Sequence, residues 1–339
     1  MSNSRTRSAS SSSSAPPAKR QKITVAPFAA AFPRRTLLSS SRWVNLPEDI
    51  WVHQILHPFL DLEALATLGR CNTFFEEYWQ YVLKQNVIRV PEGCPTVNHA
   101  LELAVVFSER NECTRENPVQ VQVGEGNHEM WTCVDVLGST TYHIPVDCNN
   151  VTIVGKGKGK TTILGGFGVN GKQNVKIQKL SARNIAGHGL SCANGATVDV
   201  TECCFKSCRG DGMYVTGGAT VTATQCEFME NGTWGVFCES ANTKARFNDC
   251  KVHHNGEDGL NAYHHAVVDL HGTKTDIHSN KSDGILADKR GKVNIHLPSQ
   301  HNTSHDNVGQ NRVQEDGGSI ANINADGTFT HVEEVDDEE

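Results

Sequence analysis

Between about Val119 and Asn311 the chain runs in short stretches where apolar and polar residues alternate, as in Val119-Gln120-Val121-Gln122-Val123 and Val151-Thr152-Ile153-Val154. Gly, Asn and Asp break these runs, and no helical period lies between them. Alternation with a period of two predicts short strands with one face buried. The pattern also repeats. Gly189-Leu190, Gly212-Met213, Gly235-Val236, Gly259-Leu260 and Gly284-Ile285 fall at steps of 23, 23, 24 and 25 residues. The same step relates Val198, Val221, Ala245, Leu270 and Ile295; Cys203, Cys226, Cys250 and Thr275; Phe205, Phe228, Val252 and Ile277; and Asn184, Cys208, Asn231, Asn255 and Asn280.

A repeat of this length, made of strands alone, can bury its apolar face only by stacking on its neighbours, one sheet spacing of roughly 4.8 Å apart. Columns of Val, Cys, Phe and Ile then form a continuous core. An inward Asn column bonds along the stack, and Gly marks turns or close approach between coils. The runs Val119 to Gly126, Val151 to Gly155 and Thr161 to Leu164 resemble the opening coils of right-handed parallel β-helix proteins. The expected fold is therefore mainly β, a right-handed parallel β-helix over residues 118–312 with roughly eight coils. A solenoid end must be covered. Val97 to Phe107, apolar at Val97, Ala100, Leu101, Ala104 and Val105, is the expected N-terminal cap within 85–117; 313–332 is the expected C-terminal cap.

Residues 42–84 read differently, as three short helices. Pro47, Glu48 and Asp49 open the first, Asp61 caps a second that Gly69 stops, and Asn72 caps a third carrying Phe74, Phe75, Tyr78 and Trp79. Leu46-Pro47-Glu48-Asp49-Ile50-Trp51, with Ile55, Leu56, Leu60, Leu62, Leu65, Leu68, Cys71 and Trp79, resembles the F-box. The resemblance implies docking on the Skp-type adaptor of a cullin-RING ubiquitin ligase through Leu46, Pro47, Ile50, Trp51, Ile55, Leu56, Leu60 and Leu65. Proteins that pair an F-box with β-helix repeats are ligase substrate adaptors, so the implied role is non-catalytic recognition of a protein target. A helical cap or spacer is the alternative. The third helix departs from the family, with Asn72-Thr73-Phe74 where a basic residue precedes an aromatic.

Charge sharpens the picture at the ends. Residues 1–47 hold eight Arg or Lys and no acid, while six of the last seven residues, 333–339, are acidic, and the whole chain carries a net charge of -7. Ser-rich residues 1–41 lack the apolar positions to offset their ordering entropy and are expected to be disordered. Pro17-Ala18-Lys19-Arg20-Gln21-Lys22 looks like a nuclear-import signal, or else is a solvated basic tail or part of a transit peptide. The acidic body makes nucleic acid an unsuitable main partner. With no apolar run long enough to span a bilayer and no secretory apolar block, the expected location is cytoplasmic and/or nuclear. The twelve cysteines are read as core thiols because those that can be placed, such as Cys203, Cys226 and Cys250, recur at the repeat period and not at metal-ligand spacing. No cofactor is implied.

Many β-helix proteins act on polysaccharides, which makes some residues of the repeats candidate catalytic groups. Gly187-His188-Gly189 looks like the Gly-His-Gly motif of polygalacturonases, but the preceding coils lack that family's Asp residues and no Arg-Ile-Lys follows. His188, Asp211, Trp234, Asp258 and Asp283 share one column and form a candidate ligand face. Adjacent carboxylates there suit glycoside hydrolysis, though Asp before Gly is also a common turn choice. A polysaccharide-active enzyme is thus the alternative to the adaptor. His253 and His278 precede successive column asparagines by two residues and are expected to stack on an outer face, joined by His305 if register holds. Such a ladder suits a transition metal or a response to mild acid, or is simply solvated. Lys156, Lys158 and Lys160 lack P-loop spacing and are read as a solvated turn.

Overall fold

The computed structural model describes residues 86–129, 133–134, 140–141, 143–296, 303–324 and 326–331. All described residues belong to one compact unit. The F-box-like segment at 42–84, with the expected adaptor contacts Leu46, Pro47, Ile50, Trp51, Ile55, Leu56, Leu60 and Leu65, lies outside them.

The described chain is a right-handed parallel β-helix. Each coil contributes one strand to each of three sheets of eleven, eight and eight strands, and eight stacked strands correspond to about 7 turns. The first-sheet strands Val119–Val123, Val151–Val154 and Val175–Gln178 bury every second residue, as the alternation requires. A small antiparallel pair, Cys133–Val134 with Thr140–Thr141, is set within the first coil.

Most expected columns hold. Cys204, Glu227, Lys251 and Asp276 pair in register, so Cys203, Cys226, Cys250 and Thr275 align one residue earlier, and Phe205, Phe228, Val252 and Ile277 one residue later. The Phe205 and Phe228 rings stack with centroids 5.5 Å apart. The valine column needs correction. Val198, Val221 and Ala245 continue into Val268 and Val293, whereas Leu270 and Ile295 extend the column of Val200, Ala223 and Phe247. The two extra residues of that repeat sit in the turn after strand Val267–His271, at Gly272 to Lys274, so the strand itself arrives two positions early.

The Asn column forms a continuous ladder. Backbone N–H of Asn231, Asn255 and Asn280 donates to the side-chain oxygen of Asn255, Asn280 and Asn307 in turn, at 3.2, 3.1 and 3.0 Å. The side-chain amides repeat the same links at 3.0, 2.9 and 2.9 Å. Cys208 takes the place of one Asn, accepting from Asn184 N at 3.4 Å through its sulfur. Gly235 shows why its column is glycine: a Cβ there would lie 2.3 Å from Val252 Cγ1 and 2.6 Å from Gly259 O, so close approach sets the residue, not backbone sign.

The N-terminal cap is the helix Val97–Arg110, whose N-cap Thr96 accepts from His99 N at 3.3 Å. Val97, Ala100, Leu101, Ala104 and Phe107 are all buried over the first coil. Ahead of it, Val87–Val90 pairs in parallel with Val119–Val123, so a segment expected to be linker is the first strand. At the other end Ser319–Ile323 is still a parallel strand, and only Phe329–His331 turns back antiparallel to close the edge.

Candidate functional site

The strands of the third sheet, among them Leu190–Ala193, Met213–Val215, Val236–Glu239 and Leu260–Tyr263, alternate inward Leu, Met, Val, Cys and Ala with outward side chains. Register places Ser191, Tyr214, Phe237, Asn261 and Leu286 in one outward column, and Glu239 beside Tyr263 in the next. Along the rim runs the turn before each strand. There Gly189, Gly212, Gly235 and Gly259 donate to the carbonyls of Asp211, Trp234, Asp258 and Asp283. His188, Asp211, Trp234, Asp258 and Asp283 therefore share the expected column, which continues to Gln310.

Column and sheet together form a run of rings. His143 stacks on His188 with centroids 5.9 Å apart, His188 on Tyr214 at 5.1 Å, Tyr214 on Phe237 at 5.8 Å, and Phe237 leans on Tyr263 at 5.9 Å. Trp234 lies against Phe237 at 4.6 Å. Parallel strands hold outward neighbours one coil apart, which is close to ring-stacking distance. All six side chains are partly exposed.

Carboxylates border the rings. Asp211 is 1% exposed; Thr233 Oγ1 donates to it, and its Oδ2 lies 3.0 Å from His188 Nδ1. That same ring nitrogen is 3.0 Å from Asp211 N. With a lone pair at Nδ1 the ring accepts from the backbone, and with hydrogen there it donates to the carboxylate, so Nδ1 has a partner in either tautomer. Trp234 Nε1 donates to Asp258 Oδ2 at 3.0 Å, and Asn261 Nδ2 to the same oxygen at 3.3 Å. Asp258 Oδ1 accepts from Asp283 N, and Asp283 Oδ1 from Gln310 N. These two carboxylates thus bond backbone, but on the next coil and not within their own turn as expected for Asp before Gly. Glu257 follows Thr233 in the stack, donating its N–H to Thr233 O at 3.1 Å. Burial, then the charges of Asp258 and Asp211, hold the Glu257 carboxyl above its ordinary pKa. Burial, opposed by the bond from Gln310 and reinforced by Asp258, raises Asp283 too.

Tyr214 O–H donates to Glu239, which also accepts from Thr216 Oγ1 at 3.2 Å; burial first, then this carboxylate, push the phenol up to about 12. At one end of the ring row, burial and the neighbouring His188 bring His143 down to about 4, which keeps its ring neutral.

Tyr214, Phe237, Tyr263, Asn261, Glu239 and Glu257 were not foreseen. A search along the outward positions two and four residues after each column Gly would have found the first five.

The histidine ladder forms as expected on the outer face of the second sheet. His253 and His278 stack at 4.9 Å and 4°, and His278 and His305 at 5.3 Å and 8°. Around it, Glu227 Oε1 lies 3.2 Å from His253 Nε2, Asp276 Oδ1 lies 2.9 Å from His305 Nε2, Asp306 Oδ2 lies 2.8 Å from His305 Nδ1, and His254 lies beside His253. Among the described residues no cluster of three or more ligand side chains suits a metal ion. Burial, opposed by Asp276 and aided by His253, His305 and His254, lowers His278; the bond to Asp306 raises His305. A lowered histidine contributes stability that is full above its unfolded pKa of about 6.5 and is lost as pH falls toward the folded value; His305 contributes in the opposite sense. His278→Gln is therefore expected to reduce the drop in melting temperature between neutral pH and about pH 5.5. An unchanged drop in the variant would remove His278 from the pH response. In the expected solvated turn, Lys158 and Lys160 pair with Glu227 and Glu125 at 3.2 and 2.9 Å.

Residues 130–275 and 165–331 match the family model for a right-handed β-helix region, and the two stretches together span more than half the chain. Comparison with curated proteins gives no match. Among solved structures, the ORF18 protein of Geobacillus virus E2 is similar at 12% identity and TM-score 0.43, over 74% of this chain and 64% of that one. The A-module of the Azotobacter vinelandii mannuronan C-5 epimerase AlgE4 is similar at 12% identity and TM-score 0.46, over 69% and 75% of the two chains. The catalytic domain of a GH87 α-1,3-glucanase is similar at 10% identity and TM-score 0.24, over 69% and 65%. The chain thus spans just under two thirds of the viral protein and of the glucanase domain. These likenesses are of fold. By name the epimerase module and the glucanase domain are carbohydrate-active, which runs against the expectation of a non-catalytic chain without assigning an activity to it.

Proposed function

The chain belongs to the right-handed β-helix family, and on that premise we propose that the outer face of the third sheet binds a glycan and that its rim carboxyls act on it. The observation that carries this reading is the row of six rings bordered by carboxylates on one exposed sheet face. Aromatic faces pack on the apolar C–H faces of pyranose rings, and carboxylates beside them accept from the hydroxyls at the ring edges. The alternative of turns alone explains Asp258 and Asp283 but not the rings, which pack on no core.

The chemistry such a face supports is acid–base cleavage of a glycosidic bond. Glu257, held above its ordinary pKa, protonates the leaving oxygen. Water attacks the anomeric carbon as that bond breaks, and the Asp211–His188 pair takes up the water's proton. The adaptor reading of residues 42–84 concerns another part of the chain and rests on the F-box resemblance alone.

Binding is tested by calorimetric titration of the full chain with a panel of neutral, amino and uronic oligosaccharides. Trp234→Ala and Phe237→Ala are expected to weaken the best ligand by about tenfold or more each, the loss typical of a large aromatic anchor, with the fold intact because both rings lie outside the core. Unchanged affinity in both variants, or no binding by the intact chain, would refute the assignment.

A further inference from the structure

Resting on the glycan reading above, the donor and acceptor balance of the face specifies the ligand further. Among the described residues, the buried side-chain nitrogen and oxygen atoms without a partner are His143 Nε2 and Asn261 Oδ1. Both belong to this face, one at the first ring of the row and the other one coil beyond Phe237. Asn261 is 5% exposed, and its amide nitrogen is committed to Asp258. The oxygen left over can only accept. His143, kept neutral, presents an imidazole that meets a ligand donor at Nε2 when the proton sits on Nδ1. An unsatisfied buried acceptor has a standing cost that a ligand donor relieves.

The rest of the face has the same sense. Asp211, Glu239, Asp258 and Asp283 are acceptors when ionised, and a uronic or sulfated sugar would be repelled by them. The protein's own side chains show which charge the rings tolerate: Lys289 Nζ sits 4.7 Å from the centroid of Tyr263, the last ring of the row. A cation over an aromatic face beside carboxylates is favoured by the ring quadrupole and by the anions together. We propose that the ligand is an amine-bearing glycan, a polymer of amino sugars with free ammonium groups. Its pyranose rings lie on the Tyr214–Phe237–Trp234 surface, and its amines face Glu239 and Asn261.

The test is titration of the full chain, in slightly acidic buffer that keeps sugar amines protonated, with hexamers of glucosamine, N-acetylglucosamine, glucose and galacturonic acid, and with oligolysine. The glucosamine hexamer is expected to bind about tenfold tighter than the acetylated and neutral hexamers, to weaken with added salt, and to lose that margin in Glu239→Gln. Equal affinity for the neutral hexamers, or tighter binding of the galacturonate, overturns the amine assignment while leaving the glycan reading in place. Oligolysine matching the glucosamine hexamer makes this a basic-peptide site and overturns it as well. No binding by any oligosaccharide removes both readings together.

Discussion

Replacing Asn255 with leucine is expected to lower the free energy of unfolding by about 3 kcal/mol, read as a shift in denaturation midpoint. The side chain is fully buried. Its amide donates to Phe228 O at 3.2 Å and Asn280 Oδ1 at 2.9 Å, while its oxygen accepts from the Asn231 backbone at 3.2 Å and side chain at 3.0 Å. Leucine matches the volume but removes all four bonds and leaves the groups on both neighbouring coils without these partners. Leaving a buried polar group unmet costs about 1–3 kcal/mol, more than the net value of the bond itself. The reciprocal change, Cys208→Asn, inserts the missing rung and is expected to stabilise by about 1 kcal/mol. If Asn255→Leu costs less than about 1 kcal/mol, the ladder merely fills space and the Cys208 substitution should do nothing.

The ladder was legible because it points inward. Every inward residue of a solenoid meets its counterpart on the next coil, so packing constrains the column and the constraint appears as a repeat. Cys203, Cys226 and Cys250, and Phe205, Phe228 and Val252, show the same effect. Outward positions carry no such constraint. Ser191, Tyr214, Phe237, Asn261 and Leu286 share a register but no residue type, so the ring row could not be read as a repeat. The candidate face was found only along its rim, where the column Gly provided an anchor. Two errors have related causes. The shift of Leu270 and Ile295 arose because a repeat's length fixes how many residues are added but not in which turn. The strand Val87–Val90 was missed because four residues ahead of a helix give too short a run to show alternation, and its pairing with Val119–Val123 is tertiary.

The sharpest separation of a catalytic face from a binding one comes from Glu257. Glu257→Gln keeps size and most hydrogen bonding but cannot deliver a proton to a leaving oxygen. On the best glycan from the binding panel it is expected to lower the rate of reducing-end release by about 10²–10⁴-fold, the usual contribution of a positioned acid, with affinity little changed. Asp211→Asn should lose a comparable factor, since it removes the carboxylate that pairs with His188 at 3.0 Å. The pH profile gives an independent reading. Burial and the charges of Asp258 and Asp211 raise the Glu257 pKa, so its acid form persists to higher pH than that of an ordinary glutamate. Activity that needs this proton is present below the raised pKa and declines as pH rises through it. Asp258→Asn removes one of the raising charges and should move that decline to lower pH, a shift that loss of a merely structural turn contact would not produce. A rate left intact in Glu257→Gln would assign the proton to another group, with Asp283, likewise raised, the next to substitute.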